Sequence, residues 1–281
     1  MPRTYHAGEL AVQAQADTVA QAAKMAHTVR TNVPAALSMF LSALPWVLIG
    51  GIDALEHVWA SPIFGKPGFV GTPTDAEVRI AAHILMGDPL HGAGARGTGW
   101  PAGMLAIDLR WRMRARINGT IRADEGGMTI TVDECYANCP KYIQDHQLDV
   151  EDVSAQPTRV RSDRMSAKGR ALVRGADTMF IASVGPDLSA DVSHRGGPSG
   201  FVECSADGTA LRFADYPGNG VFNTLGNLHC DARSGLTFFG FETGELLQLT
   251  GYASSKPTRN RTVEFNVVEA IWCANLTRRR P

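Results

Sequence analysis

The chain has 281 residues, 44% hydrophobic and 20% charged, an ordinary globular composition with material for one large domain or two ordinary ones. With 27 Lys and Arg against 28 Asp and Glu, its formal net charge of -1 gives no global electrostatic reason to expect nucleic acid or an anionic membrane as a partner. The 5 cysteines are odd in number and scattered, and the first residues lack the basic-then-apolar layout of a secretory signal, so reduced thiols and a cytoplasmic protein are expected.

In chain order, "GELAVQAQADTVAQAAKMAHTVR" (Gly8 to Arg30) is Ala-rich, with Leu10, Val19, Ala22, Ala26 and Val29 roughly on one face. This spacing predicts one surface helix. Pro34 can open a second short helix running to about Leu44. The apolar run Ala36 to Ile52 is broken by Pro45 and by Gly50-Gly51, which predicts a short helix and a core strand and no membrane span. From Trp46 on, "WVLIGGID", "HVWASPIF", "EVRIAAHI", "GMLAIDL", "MRARINGTI" and "MTITVDECY" are short, strand-like and separated by Gly, Pro and Asp. A polar linker follows, roughly His146 to Lys168, and then a second set of strands. Cys135 and Cys139 could form half a zinc site, but no second pair with ligand spacing follows, so no metal is expected.

The two sets of strands are copies. "GMLAIDLRWRMRARINGTI" from Gly103 falls on "GLTFFGFETGELLQLTGYA" from Gly235 at an offset of 132, Gly119 falls on Gly251 at the same offset, and "PGFV" ending at Val70 falls on "SGFV" ending at Val202. "EVRIA" matches "ALRFA" one residue further on, and "GGID" resembles "VGPD" two residues further on. Two copies in one chain suggest an intrachain pseudo-dimer with two quasi-equivalent grooves. Aligned through the last of these matches, copy two has Ser193, His194 and Arg195 where copy one has Trp59, Ala60 and Ser61, so the sibling groove is expected to be narrowed by Trp59 and Phe64.

Two patches concentrate polar groups. "DVSHRGGPSGFV" (Asp191 to Val202) carries Ser193, His194 and Arg195 at a strand end. His194 can be a proton donor to substrate, a hydrogen-bond partner of a ligand, or a packed structural histidine. In "FADYPGNGVFNTLGNL" (Phe213 to Leu228), Asp215 opens a turn, and Asn219, Asn223, Thr224 and Asn227 cluster at the start of a short helix, whose free amides favour an anion such as phosphate. Asn223 could equally cap that helix. In "CPKYI", Lys141 and Tyr142 could cross toward the other copy, or begin a solvated helix.

"MFIASVGPDLSADVSHRGGPSGFV", "FADYPGNGVFNTLGNL" and "SGLTFFGFETGELLQLTG" together resemble the FMN-binding split β-barrel of the pyridoxamine 5'-phosphate oxidase-related family. "YHAGELAVQ" at Tyr5 and "YANCPKYIQ" at Tyr136 resemble signatures of its longer, two-barrel members. The resemblance implies a mainly β chain with peripheral helices: two tandem split barrels, six-stranded or similar, paired as a pseudo-dimer behind an N-terminal helix. It divides the sequence into an N-terminal helical segment (1–35), a first barrel (36–150), a linker (151–168) and a second barrel (169–281). It further implies FMN between the barrels, held by Ser193, His194, Arg195, Asp215, Asn219, Asn223, Thr224, Asn227, Lys141 and Tyr142. Authentic pyridoxamine phosphate oxidases place an Arg-Lys pair at about Asn223 and Thr224. The neutral residues here either make the phosphate clamp weaker or leave it to Arg195 and Lys141, and they do not favour pyridoxamine phosphate as substrate.

The implied function is an FMN-dependent oxidoreductase acting on a small organic molecule, its electrons supplied by NAD(P)H, a separate reductase or the substrate. The alternatives are a carrier or sensor that holds flavin, haem or deazaflavin without turnover, and a purely structural pseudo-dimer whose polar patches are turns and caps. No catalytic residue is assigned, and a homodimer of the two-barrel chain is compatible with the resemblance.

Overall fold

The computed structural model describes residues 3–92, 99–148, 150, 153–256 and 261–277. Copy one contributes β1 (Trp46–Ile52), β2 (Val58–Phe64), β3 (Val70–Thr74), β4 (Glu77–Ile80), β5 (Trp100–Asp108), β6 (Met113–Asp124) and β7 (Gly127–Ala137). They form one antiparallel sheet in the order β2-β1-β5-β6-β7-β4-β3. Copy two contributes β9 (Thr178–Val184), β10 (Ala190–Gly196), β11 (Val202–Cys204), β12 (Ala210–Ala214), β13 (Arg233–Gly240), β14 (Glu245–Lys256) and β15 (Thr262–Ala274), in the order β10-β9-β13-β14-β15-β12-β11. The second order repeats the first with every strand advanced by eight. Each copy thus has seven strands along this path, one more than six. β8 (Thr158–Ser162), from the stretch read as polar linker, adds an eighth to copy two by pairing with β15.

The 132-residue offset holds in three dimensions. α3 (Ala35–Ala43) and α4 (Ala167–Gly175) precede the first strands of their copies at that spacing, and β6 and β14 each carry a register shift at the repeat position, Asn118/Gly119 and Thr250/Gly251. Only glycine fits there: a Cβ on Gly119 would lie 1.9 Å from the Thr131 carbonyl oxygen, and one on Gly251 1.9 Å from that of Asn266. The copies touch reciprocally. Gly103 in β5 packs on Ala190 of β10, while Gly235 in β13 packs on Val58 of β2, with a Cβ at either position 2.4 or 2.5 Å from the facing carbonyl oxygen. This exchange of equivalent contacts is the signature of an approximate two-fold axis.

Three apolar clusters follow from the arrangement. One fills each barrel, around Trp59, Ile80 and Ile117 in copy one and Phe213, Phe238 and Phe265 in copy two. The third lies between the copies and draws Trp46, Leu48 and Leu105 from one and Phe180, Val192 and Phe239 from the other.

Three expectations need correction. The run Gly8 to Arg30 forms two helices, α1 (Ala7–Gln15) and α2 (Val19–Ala26), because Asp17 turns the chain with φ 53° and Thr18 is tied to copy two through its Oγ1 donating to the Gly220 carbonyl at 3.1 Å. The inner face of α1 is also not simply apolar. It buries Glu9 and Gln13 beside Val12 while Leu10 stays 48% exposed, and Gly8 lets it cross α5 (Asn223–Cys230) at Gly226. Lastly, the pairing of β1 with β2 (Trp46 opposite Phe64) recurs in β9 with β10 (Thr178 opposite Gly196), again at 132. Ser193, His194 and Arg195 therefore correspond to Ser61, Pro62 and Ile63, not to Trp59, Ala60 and Ser61. Trp59 is wholly buried in the copy-one core with its Nε1 donating to Asp53 at 2.9 Å, so it does not narrow a groove.

Candidate functional site

A groove runs between the copies, bordered by β6 and the segment after β7 on one side and by β10, the end of β12 and the start of α5 on the other. Nine of the ten residues singled out in the sequence line it: Lys141, Tyr142, Ser193, His194, Arg195, Asp215, Asn219, Asn223 and Thr224. The tenth, Asn227, faces away. Asn223 and Asn227 are one helical turn apart on the side of α5 that meets the N-terminal segment. Asn223 Nδ2 donates to Glu9 Oε1 at 3.0 Å, and Asn227 bonds His6, Ser183 and Asp191. Asn223 does not cap α5 either, since the capping position belongs to Phe222, in left-handed conformation with φ 61° and no side-chain bond. Thr224, one residue on, turns toward the groove and donates to Ser193 Oγ at 3.0 Å.

Copy one supplies two arginines that the sequence reading passed over. Arg114 and Arg116 alternate along β6 and so share a face of the strand. Arg116 is 5% exposed and fully engaged: it donates to the Val192 carbonyl at 3.1 Å, to Tyr136 Oη at 2.8 Å and to Ser193 Oγ, and it pairs with Asp191 at 3.3 Å. Arg195 is paired too, with Asp215 at 2.6 Å, and Asp215 also takes Arg261 at 3.1 Å. Arg114 differs. Its guanidinium donates to the Cys139 carbonyl at 2.6 Å and to His194 Nδ1 at 2.9 Å, and it has no carboxylate partner among the described residues. Burial, together with Arg116 and Arg195, pushes its pKa down to about 10.

His194 is positioned by that contact. A guanidinium only donates, so Nδ1 must accept and the ring proton sits on Nε2. Burial first, then Arg114 and Arg195, holds its pKa well below the usual histidine value, so the imidazole is neutral. Its Nε2, with the Nε atoms of Arg114 and Arg195, is buried without a hydrogen-bond partner among the described residues. Three donors beside one groove thus lack acceptors. The amides of the first turn of α5 have no partner within the helix and add a partial positive charge.

The tail of copy one crosses to copy two at the rim. Tyr142 stacks on Tyr216 with ring centroids 5.3 Å apart and donates to the Pro217 carbonyl at 3.1 Å, while Lys141 stands exposed beside it. Asn219 is used locally, its Oδ1 accepting the Val221 amide at 3.1 Å. The enclosed part of the groove measures about 120 Å³, below the roughly 300 Å³ where ligand pockets begin.

No protein-family model matches the sequence, and no curated protein matches it. Among solved structures, the chain is similar to HupZ of Group A Streptococcus, at 10% identity over 42% of this chain and 100% of that one, with a TM-score of 0.33. A Clostridium acetobutylicum protein related to general stress protein 26, of the pyridoxinephosphate oxidase family, gives 10% identity over 39% of this chain and 88% of that one, with a TM-score of 0.31. An F420 reductase gives 14% identity, 36% and 94% coverage, and a TM-score of 0.26. Each likeness spans less than half of this chain and is one of fold.

Proposed function

We propose that the groove between the copies binds FMN and that the chain is a flavin-dependent oxidoreductase acting on a small organic molecule. The observation that carries this reading is Arg114, a half-buried guanidinium beside two others with no carboxylate of its own among the described residues. Such a charge is stabilised when an anion arrives. The residues fit the group in three respects: unpartnered donors on Arg114, Arg195 and His194, the first-turn amides of α5 and Thr224 beside them, and the stacked Tyr142 and Tyr216 as an aromatic flank. In this reading Arg114 and the start of α5 hold the phosphate, Arg195 and His194 donate to the ring system, and Tyr142 shields one edge. His194, neutral with its proton on Nε2, acts there as a hydrogen-bond donor. Bound FMN would supply the electron-transfer chemistry, leaving the chain to bind, orient and exclude water.

The test is the absorption spectrum of purified full-length protein, with and without added FMN, followed by anaerobic NAD(P)H. A flavin spectrum that bleaches supports the oxidoreductase. A flavin spectrum that persists through NAD(P)H, chemical reductant with substrates, and a reductase points to a carrier. No binding of FMN sinks the proposal.

A further inference from the structure

The "YHAGE" stretch, Tyr5 to Glu9, takes no part in the groove. Its residues build something else. His6 caps α1, accepting the Gly8 amide at 3.2 Å, and its Nε2 lies 2.9 Å from Asn227 Oδ1. Glu9, with no exposed surface, accepts from Asn223 and pairs with Arg3 at 3.1 Å. With strands β5 and β6 and the turn between β9 and β10, this segment surrounds a second cavity of about 580 Å³, within the size range of small-molecule sites.

The charge lining this cavity is one-sided. Glu9, Asp133, Glu134, Asp187 and Asp191 line it with Arg3 as the one guanidinium among the described lining residues, and Asp191 is also paired with Arg116 behind it, which leaves carboxylates in excess. Arg3 is shared between Glu9 and Glu134, the latter at 2.6 Å. A second, independent observation shows what is missing. Asn118 lines the cavity, is 8% exposed and gives its amide hydrogens to Asp191 at 2.8 Å and Glu134 at 3.3 Å, which fixes its Oδ1 as an acceptor. That oxygen is buried with no hydrogen-bond partner among the described residues, and so is Nη1 of Arg3. The surplus carboxylates outweigh the open Arg3 donor, so together with the Asn118 oxygen they call for a ligand that brings N–H donors and positive charge together. A bare metal ion is the poorer match: no group of three or more His, Cys, Asp or Glu among the described residues is arranged to hold one, and the volume suits an organic molecule.

We infer that this cavity is a binding site for a small organic cation, a protonated amine or guanidinium, recognised by Glu134, Asp187 and the Asn118 carbonyl. The inference does not depend on flavin in the groove.

The experiment is isothermal titration calorimetry of the full chain with putrescine and agmatine, using 1,4-butanediol and glutarate as neutral and anionic controls. One cation per chain is expected, with no heat from either control. Glu134→Gln should weaken binding at least tenfold, and Asp187→Asn, in an exposed turn where folding is not at risk, about threefold. FMN affinity should be unchanged in both variants. Absence of amine binding up to roughly 10 mM, a range that reaches millimolar Kd, would overturn the inference. So would equal binding of butanediol, unchanged affinity in both variants, or saturation by magnesium in place of the amines.

Discussion

Gln248 stands 132 residues after Arg116 and makes the same contacts on the sibling strand. Arg116 donates to the Val192 carbonyl and Ser193 Oγ, while Gln248 donates to the Ala60 carbonyl at 3.2 Å and Ser61 Oγ at 3.3 Å. The difference between them is charge, and the surroundings follow it. Beside Gln248 the chain provides its own anion, Asp88, which accepts from Gln248 at 2.9 Å, from Ser61 and from the Leu90 amide. Asp88 sits in the segment between β4 and β5, the counterpart of the segment that in copy two forms α5 and brings Thr224 to Ser193.

FMN should therefore saturate the chain at one equivalent in a fluorescence titration. Two equal sites would contradict the asymmetry. Asp88→Ala, which strips acceptors from Gln248, Ser61 and a backbone amide and the counter-charge from nearby Arg159, whose Nη1 donates to Gln248 Oε1 at 3.2 Å, should cost on the order of 1–3 kcal/mol of stability.

Arg114→Ala and Arg195→Ala separate a waiting charge from a paired one. Arg114→Ala should weaken FMN binding by about 2–4 kcal/mol and leave the melting temperature of the apo protein unchanged or raised, because it removes an uncompensated cation. Arg195→Ala should weaken FMN less and lower the melting temperature, since among the described residues Asp215 then keeps only Arg261. A reversed order of the two FMN affinities would move the anion site away from β6.

Glu9 makes stability depend on pH. Burial, against the pull of Arg3, raises its pKa from 4.5 to about 7. The folded chain thus holds this proton more tightly than the unfolded one. The resulting stabilisation is complete below pH 4.5 and lost as pH rises to 7. Glu9→Gln should grow more stable relative to wild type across this window, by a difference on the order of 3 kcal/mol at most, and level off above it. Urea melts of both proteins at points across and above the window measure the difference, and a flat difference would mean the carboxylate titrates normally.

Gly103→Ala and Gly235→Ala probe the pseudo-dyad away from the groove. Each Cβ would drive into a carbonyl of the other copy, so both should destabilise by roughly 1–3 kcal/mol and by similar amounts. Chemical denaturation of the two variants checks this. A loss confined to one of them would show that the copies do not pack equivalently.

Much of this was legible in the sequence where backbone geometry left a mark. Gly119 and Gly251 occupy equivalent bulges, and the repeat they announce gave the two-copy architecture. The polar run on β10 stood out because His and Arg are unusual at a strand end between apolar neighbours. Helix α1 was misread because its buried face sets Glu9 and Gln13 beside Val12, the two polar residues held by partners more than 200 positions away that no hydrophobic period reveals. α4 went unseen because Lys168, Arg170 and Arg174 dress it like a solvated linker, with Val173 the large apolar side chain it buries fully. Arg114 and Arg116 were hidden in plain sight: in "RWRMRAR" every second residue is Arg, which reads as a wet strand face until β10 of the other copy is laid across it.

The apolar cluster shared by Trp46, Leu105, Phe180 and Phe239 joins halves that are covalently tethered. For two separate subunits, formation of such a core would be bimolecular and would weaken on dilution. Here it is a unimolecular event, so the groove and its arginines persist at any protein concentration, and a substitution in one half is never duplicated in the other.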